Sequence, residues 1–431
     1  MSIVAVAFAC LFAPQQPEAV DLRQELARAV DLPTASAREK AADELAKKHP
    51  ASLAEWTAEC ATFGAFEAKE PGPTRQTVEL HVLDQVEATE IFLLVPRGYD
   101  PRKPAPLLLW GHGAGGSGAR EYMLWQDTAD KVGILVLAAT EFGKEPGWGF
   151  MPRERAAQLA VLRWARRTVN VDENAIFVGG WSRGGHMTWD LMQRFPDLFA
   201  GALPVVGGPR MQMGEQNNLR YLENVAHLPI RDLQGSQDDA LLVMNLRLAF
   251  ARLKKLSALD AVLHEFPDRG HDADLAVVDW VEFFTRRREA KPERVVRLAT
   301  QLSEARTRWA QITAFDEKVA VEVPLQVDPR TWEGLDELGQ RAFALDKLVD
   351  RTARLVVVDK GKGRFVAEGR GVKSFELRLA PAQIGKDGAV EVRWQNCTVR
   401  KKLEPDLGVL LREFVERFDR TFLPVARLVV Q

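Results

Sequence analysis

The central part of the sequence predicts a doubly wound α/β fold, with a mainly parallel sheet of about eight strands and helices on both faces. Two segments with alternating apolar residues come first, at 78–83 and 90–96. Short, fully apolar runs then alternate with helical patterns, as expected for strands that are buried on both faces. The apolar runs are 107–111, 134–138, 175–178, 202–206, 230–233 and 261–266, and the helical patterns are 119–131, 153–168, 184–194, 241–255 and 274–286.

The flanking segments have different patterns. Residues 18–70 predict a helical N-terminal region, with helices at 21–30, 35–48 and 52–60. We expect the α/β domain to occupy residues 71–288, and residues 289–431 to form a helical linker and a small β-rich domain. The elements predicted there are a helix at 294–309, strands at 319–324, 354–358, 364–367, 373–380, 390–393 and 398–403, a helix at 407–418 and a strand at 426–430.

Composition is that of an ordinary globular protein. The chain has 431 residues, of which 46% are hydrophobic and 27% charged, and its formal net charge of -2 does not suggest a nucleic-acid partner. Its three cysteines, Cys10, Cys60 and Cys397, form no C-x-x-C pair and predict neither a zinc nor a redox site. Whether Cys60 and Cys397 pair with each other stays open at this point.

The N-terminus predicts export. Residues 2–13 form a short apolar run that resembles the apolar region of a secretory signal, with Ala7-Phe8-Ala9 as a small-residue cleavage site. We therefore interpret 1–17 as a signal segment and expect a periplasmic or extracellular protein. The alternative is a cytoplasmic protein, since no lysine or arginine precedes the run. No other run reaches the ~18 apolar residues that a membrane helix needs, so no integral membrane segment is expected.

One turn of the predicted sheet carries a candidate nucleophile. Gly180, Ser182 and Gly184 form a G-x-S-x-G pattern between the apolar run at 175–178 and the helical pattern that follows. A serine at such a sharp strand-to-helix turn has strained backbone and an exposed hydroxyl, and the glycines leave room for the crowded chain. The helix that follows directs its first N–H groups at the place where an oxyanion would form.

A glycine-rich loop after the run at 107–111 is the candidate second half of an oxyanion hole. We expect the backbone N–H of Ala114 to act there with the backbone N–H of Arg183. His112 precedes the glycines of this loop, and we interpret it as fixing the loop by hydrogen bonds rather than as a catalytic base.

An acid and a histidine follow the last two apolar runs. Asp238 is the candidate acid, whereas its neighbour Asp239 is expected to cap the next helix. His271 lies in the loop after the run at 261–266, from which its ring can reach the serine. His186 and His264 are interpreted as packing residues.

Serine, acid and histidine in this order are typical of α/β-hydrolases. Residues 78–287 resemble the α/β-hydrolase group that contains dienelactone hydrolases, prolyl-oligopeptidase catalytic domains and esterases related to polyhydroxybutyrate depolymerase and feruloyl esterase. The matching segments are Trp110-Gly111-His112-Gly113, Gly180-Trp181-Ser182-Arg183-Gly184-Gly185, Gly235-Ser236-Gln237-Asp238 and Gly270-His271. The resemblance implies that Ser182 is the nucleophile, His271 the base and Asp238 its orienting acid, with no metal and no organic cofactor. Gln234 departs from the group, where a histidine often precedes the glycine.

Two loops are candidates for the substrate pocket, through Trp148 and Phe150 in one and Met211 in the other. Ordinary loop packing would account for these residues equally well. The sequence therefore predicts a serine hydrolase that acts on a small-molecule or polymer substrate, through an ester or a peptide bond. The alternative is a catalytically silent binding module on the same fold. Neither the substrate nor the oligomeric state can be read from the residues.

Overall fold

The chain is described from a computed structural model, in which residues 21–48, 51–83, 85–140, 151–211, 217–258 and 260–431 are described. The predicted signal segment therefore lies outside the described residues. Three helices open the described chain: α1 (Leu22–Val30), α2 (Ala35–Lys48) and α3 (Leu53–Ala61). They agree with the predicted N-terminal helices to within a residue or two.

A sheet of eight strands forms the centre of the molecule. Its strands are β1 (Gly72–Val82), β2 (Gln85–Val95), β3 (Ala105–Gly111), β4 (Leu135–Ala139), β5 (Val171–Trp181), β6 (Gly201–Val205), β7 (Ile230–Gly235) and β8 (Ala261–Phe266). They lie in the order β1-β2-β4-β3-β5-β6-β7-β8. Strands β1 and β2 are antiparallel to their neighbours, whereas β3 to β8 are parallel to one another. The predicted doubly wound sheet is confirmed.

Helices cover both faces of this sheet. They are α4 (Gly118–Glu121), α5 (Gln126–Val132), α6 (Pro152–Thr168), α7 (Arg183–Arg194), α8 (Ala240–Lys255) and α9 (Trp280–Phe283). The helix predicted at 119–131 is interrupted by a 3-10 turn at Tyr122–Trp125. The prediction of a single helix at 274–286 is wrong, because two aspartates start separate short turns. Asp274 accepts a hydrogen bond from the Ala276 N–H, and Asp279 accepts one from the Glu282 N–H.

The C-terminal region contains two further sheets and three helices. The strands are β9 (Arg294–Ala299), β10 (Arg306–Thr307), β11 (Ala310–Phe315), β12 (Ala353–Asp359), β13 (Arg364–Arg370), β14 (Val372–Leu379), β15 (Ala389–Trp394), β16 (Cys397–Lys402) and β17 (Ala426–Val430). The helices are α10 (Pro329–Glu333), α11 (Glu337–Asp350) and α12 (Leu407–Arg417). One sheet has the order β16-β15-β13-β12-β9 and the other β10-β11-β14-β17.

Two predictions for this region are wrong. The segment 294–309 is not a helix, because residues 294–299 pair as a strand with β12 and bury Val295, Arg297 and Ala299 on one side. This pairing outweighs a helical pattern that was only a local preference. The strand predicted at 319–324 is irregular chain instead, and the place beside β14 is taken by β11. Helices α10 and α11 were not predicted.

The N-terminal helices share a core with the C-terminal helix α12. The ring of Phe63 meets Phe414 and Phe418 edge-on, with ring centroids 5.5 Å apart in each case. From the α/β domain, Arg163 of α6 donates to the carbonyl oxygens of Val30 and Val415, which lie at the ends of α1 and α12. Positive groups at helix C-termini satisfy their last carbonyls and oppose the helix dipole. Helices α1 and α12 are therefore both held on the α/β domain.

Cys60 and Cys397 do not pair with each other. Cys60 is buried in the helical core and Cys397 is exposed on β16, and both are free thiols. Within the described ranges, no helix is both long and apolar enough to cross a membrane.

Candidate active site

Ser182 occupies a strained turn between β5 and α7. Its backbone has φ 55 and ψ -112, a conformation that non-glycine residues adopt at a cost. A Cβ on Gly180 would lie 2.6 Å from the backbone of Gly184, and a Cβ on Gly184 would lie 2.1 Å from the oxygen of Gly111. The two motif glycines are therefore required by close backbone approach around the serine, as the sequence predicted.

The structure brings the three candidate side chains into one hydrogen-bonded line. Ser182 Oγ lies 2.8 Å from His271 Nε2, and His271 Nδ1 lies 2.8 Å from Asp238 Oδ2. The three residues follow β5, β8 and β7, so they meet at the carboxyl edge of the sheet, where ligands of such folds bind. The imidazole is half exposed, with 50% of its side-chain surface accessible, whereas Asp238 is only 10% accessible.

Asp238 is held as a carboxylate. Burial opposes its ionisation, but hydrogen bonds from the Asp239 N–H, from His271 and from Gln234 outweigh burial and lower the pKa of Asp238 below its ordinary value. The Asp239 N–H donates to Oδ1 at 2.8 Å, and Gln234 Nε2 donates to Oδ2 at 2.8 Å. The side chain of Asp239 instead accepts from Leu242 N–H at 2.9 Å and caps α8, as expected.

The glycine loop after β3 passes beside the serine. A Cβ on Gly113 would lie 3.7 Å from the Cβ of Ser182. The N–H of Gly113 donates to Glu121 Oε1 at 3.2 Å, and the N–H of Gly116 donates back to the Gly113 carbonyl at 3.1 Å. These two bonds fix the loop, and the N–H of Ala114 stays the candidate oxyanion donor that the sequence suggested.

The second candidate donor belongs to Arg183, which is the first residue of α7. The first N–H groups of a helix have no intrahelical acceptor and carry its positive dipole end. The arrangement thus places a helix N-terminus directly after the serine, which suits a developing negative charge.

The other histidines have structural surroundings. His112 is buried, its Nδ1 lies 2.7 Å from the Gly113 oxygen, and burial lowers its pKa. His186 Nδ1 lies 2.6 Å from the Gly208 oxygen, and burial next to Arg210 lowers the pKa of His186 to about 4. Both therefore favour the neutral form, in keeping with the loop-fixing role predicted for His112 and the packing role predicted for His186.

The candidate pocket residues are only partly described. Trp148 and Phe150 lie outside the described residues. Met211 is half-buried and packs against the main hydrophobic core, which favours a packing role over substrate contact. Across the described ranges, no group of three or more metal-ligating side chains is found.

Two residues of the site were not predicted from the sequence. Glu121, on α4, holds the glycine loop, and Gln234, near the end of β7, holds the candidate acid. Gln234 was noted only as a departure from the related group. Glu121 had no signal at all, because its contact joins residues whose proximity depends on how the loop folds.

The comparisons with known proteins agree with this geometry. The family model described as the prolyl oligopeptidase family matches residues 153–231, which include the serine turn. The central domain has an α/β-hydrolase fold, and its middle part is similar to this family. The chain is also 27% identical to feruloyl esterase C of Emericella nidulans over 139 residues, which is 30% of this chain and 52% of that protein. The chain thus spans about half the length of this relative. The two matches support a serine hydrolase, of either the esterase or the peptidase kind.

Two solved structures are similar to part of this chain. A thermostable esterase has a TM-score of 0.40 and 22% identity, over 50% of this chain and 63% of that one. The acylaminoacyl peptidase of Pyrococcus horikoshii has a TM-score of 0.39 and 15% identity, over 46% of this chain and 38% of that one.

Proposed function

We propose that this chain is a serine hydrolase that cleaves carboxylic ester bonds through an acyl-enzyme formed on Ser182. The observation that carries the proposal is the line of hydrogen bonds from Ser182 Oγ through His271 to Asp238, at a strained turn on the carboxyl edge of the sheet. Nucleophile, base and orienting acid within hydrogen-bond reach are the signature of nucleophilic catalysis.

In the proposed reaction, His271 Nε2 takes the Ser182 proton as Oγ attacks the substrate carbonyl. Asp238 holds Nδ1 of the ring, which fixes the tautomer and stabilises the imidazolium that forms. The N–H groups of Ala114 and Arg183 receive the oxyanion. His271 then gives its proton to the leaving group, and a water molecule activated by the same ring hydrolyses the acyl-enzyme.

An ester is preferred to a peptide bond because the curated relative that matches is an esterase, named for a feruloyl (aromatic acyl) group. The family model, which is named for oligopeptidases, supports peptide cleavage as the second candidate. Amide hydrolysis requires protonation of a much poorer leaving group, so the two substrates differ in their demand on His271. The same site geometry serves either reaction.

The experiment that tests the proposal is labelling with a fluorophosphonate probe, which reacts with activated serines. Wild type should label at Ser182, and Ser182→Ala and His271→Ala should not. Asp238→Asn should label more slowly by a factor on the order of 10³–10⁴, since it disturbs the orientation and charge of the ring partner.

Asp239→Asn is the matched control, because asparagine is also a good helix cap and Asp239 accepts no bond from His271. It should label at nearly the wild-type rate. A folded wild-type protein that does not label would favour the silent binding module. If labelling succeeds, aryl and alkyl esters compared with peptide anilides then decide between the two substrates.

A further inference from the structure

A buried glutamine contacts the same oxygen atom of Asp238 as the candidate base. Gln234 is 0% exposed, and its Nε2 donates to Asp238 Oδ2 at 2.8 Å and to the Gly235 carbonyl at 3.1 Å. The same Oδ2 lies 2.8 Å from His271 Nδ1. Two donors therefore meet on one oxygen, one from a fixed side chain and one from the ring.

The orientation of the Gln234 amide follows from its neighbours. Both of its contacts are acceptors, a backbone carbonyl and a carboxylate, and an NH2 group has two hydrogens to give them. The flipped amide would place its own oxygen against two other oxygens. The donor end must therefore face Asp238.

We propose that Gln234 is a positioning residue that fixes the Asp238 carboxylate and weakens its hold on protonated His271. This inference rests on the proposed function. The amide N–H withdraws electron density from Oδ2, so the oxygen attracts an imidazolium less strongly than a carboxylate with one donor fewer. Loss of this donor should strengthen the attraction between the carboxylate and the imidazolium, so a variant without it should need a higher pH for activity.

The other ionisable groups around this site are the same in wild type and in a variant that changes Gln234 alone. Burial raises the pKa of Asp232, on the same strand, well above its ordinary value, and its Oδ2 accepts from Trp189 at 2.7 Å. Carboxylates and guanidinium groups at the surface ordinarily keep their charge between pH 5 and 8. The neighbouring groups are His186 and Arg183 on α7, Arg210 beside His186, Asp239 at the cap of α8, Glu265 paired with Arg247, and Arg269 paired with Asp272.

The test is Gln234→Met, which keeps an unbranched side chain of similar length and removes the donor. The rate of fluorophosphonate labelling is measured from pH 4.5 to pH 8.5 in wild type and variant. We expect the midpoint of the acidic limb to move up by about 0.5–1 pH unit in the variant. The plateau rate at high pH should fall by a smaller factor, about 3- to 10-fold, from looser placement of Asp238.

Gln237→Met is the matched control. Gln237 lies in the loop that carries Asp238, but its amide donates to the Pro267 carbonyl at 3.1 Å and does not touch the carboxylate. Its acidic limb should coincide with that of wild type. A purely structural role for Gln234 would lower the plateau in the variant and leave the midpoint in place, and that result would overturn the inference.

The failure of this inference is distinguishable from the failure of the proposed function. A wild type that does not label removes the hydrolase proposal before any variant is compared. A wild type that labels, with an unmoved midpoint in folded Gln234→Met, removes the role of Gln234 alone. Gln234→Leu, which also lacks the donor, replaces the first variant if thermal unfolding shows that methionine is not tolerated.

Discussion

The close contact between α7 and β3 makes Gly184→Ala the most informative packing variant. The added Cβ would lie 2.1 Å from the oxygen and 2.4 Å from the carbonyl carbon of Gly111. Both atoms belong to the backbone of a central strand, so no flexible side chain can move aside. Ordinary contact then requires the start of α7 to retreat from β3 by about 1 Å or more.

That displacement acts on the reacting groups themselves. The start of α7 carries the Arg183 N–H, and the end of β3 leads into the loop beside Ser182. A misplacement of about 1 Å can lower a catalytic rate by about 10²-fold. Overpacking of this kind typically costs about 1–3 kcal/mol of stability. We therefore expect Gly184→Ala to remain folded but to lose labelling and turnover by about two orders of magnitude.

The assay is the labelling rate and ester turnover of Gly184→Ala, with urea unfolding to measure the change in stability. Gly334→Ala is the control, because its Cβ would make only ordinary contacts, 3.4 Å from the Arg330 oxygen and 3.8 Å from the Thr331 oxygen, and Gly334 belongs to the C-terminal region. If Gly184→Ala keeps its activity within about twofold and unfolds at the wild-type urea concentration, the backbone contact does not position the serine and this reasoning is refuted.

Three further predictions concern stability and reactivity. Phe414→Ala should destabilise the protein by about 3–5 kcal/mol and expose the N-terminal helices to protease, because this ring is 1% exposed in the core that these helices share with α12. Unchanged proteolysis would contradict the shared core. Burial opposes the ionisation of Asp197, but Arg417 and other arginines outweigh it and lower the pKa of Asp197 to about 2. The carboxylate thus stabilises the fold above about pH 4 and loses this effect as the pH falls toward 2. The unfolding free energy of Asp197→Asn should therefore decline less steeply than that of wild type over this range. Burial raises the pKa of the Cys60 thiol, so a maleimide at pH 7 should modify exposed Cys397 and leave Cys60 intact until the protein unfolds, as peptide mass mapping would show.

Much of the central fold was predictable because its signals are local. Strands buried on both faces are apolar at nearly every position, so runs such as 107–111 and 175–178 can be recognised as strands from the sequence. The turn at Ser182 was also predictable from its local sequence, since close backbone approach leaves glycine as the only residue that fits at 180 and 184. The candidate catalytic residues follow directly after strands, where ligands of such sheets bind.

The failures share one physical cause, which is that the partner of a segment was not visible. Residues 294–299 carry no strong preference of their own and became a strand because β12 offers hydrogen bonds and a buried side. The same holds for the pairing of α12 with the N-terminal helices, whose residues are hundreds of positions apart. A pattern limited to one segment cannot contain information about a distant one.

The sequence by itself therefore determined the sheet, the order of serine, acid and histidine, and the choice of Asp238 over Asp239, because each depends on spacing within a few residues of a strand end. Only the tertiary structure decided which groups support the site: Gln234 contacts the carboxylate, and Glu121 contacts the glycine loop. These contacts depend on the directions in which side chains leave neighbouring strands and loops, which the backbone fixes once the sheet has formed.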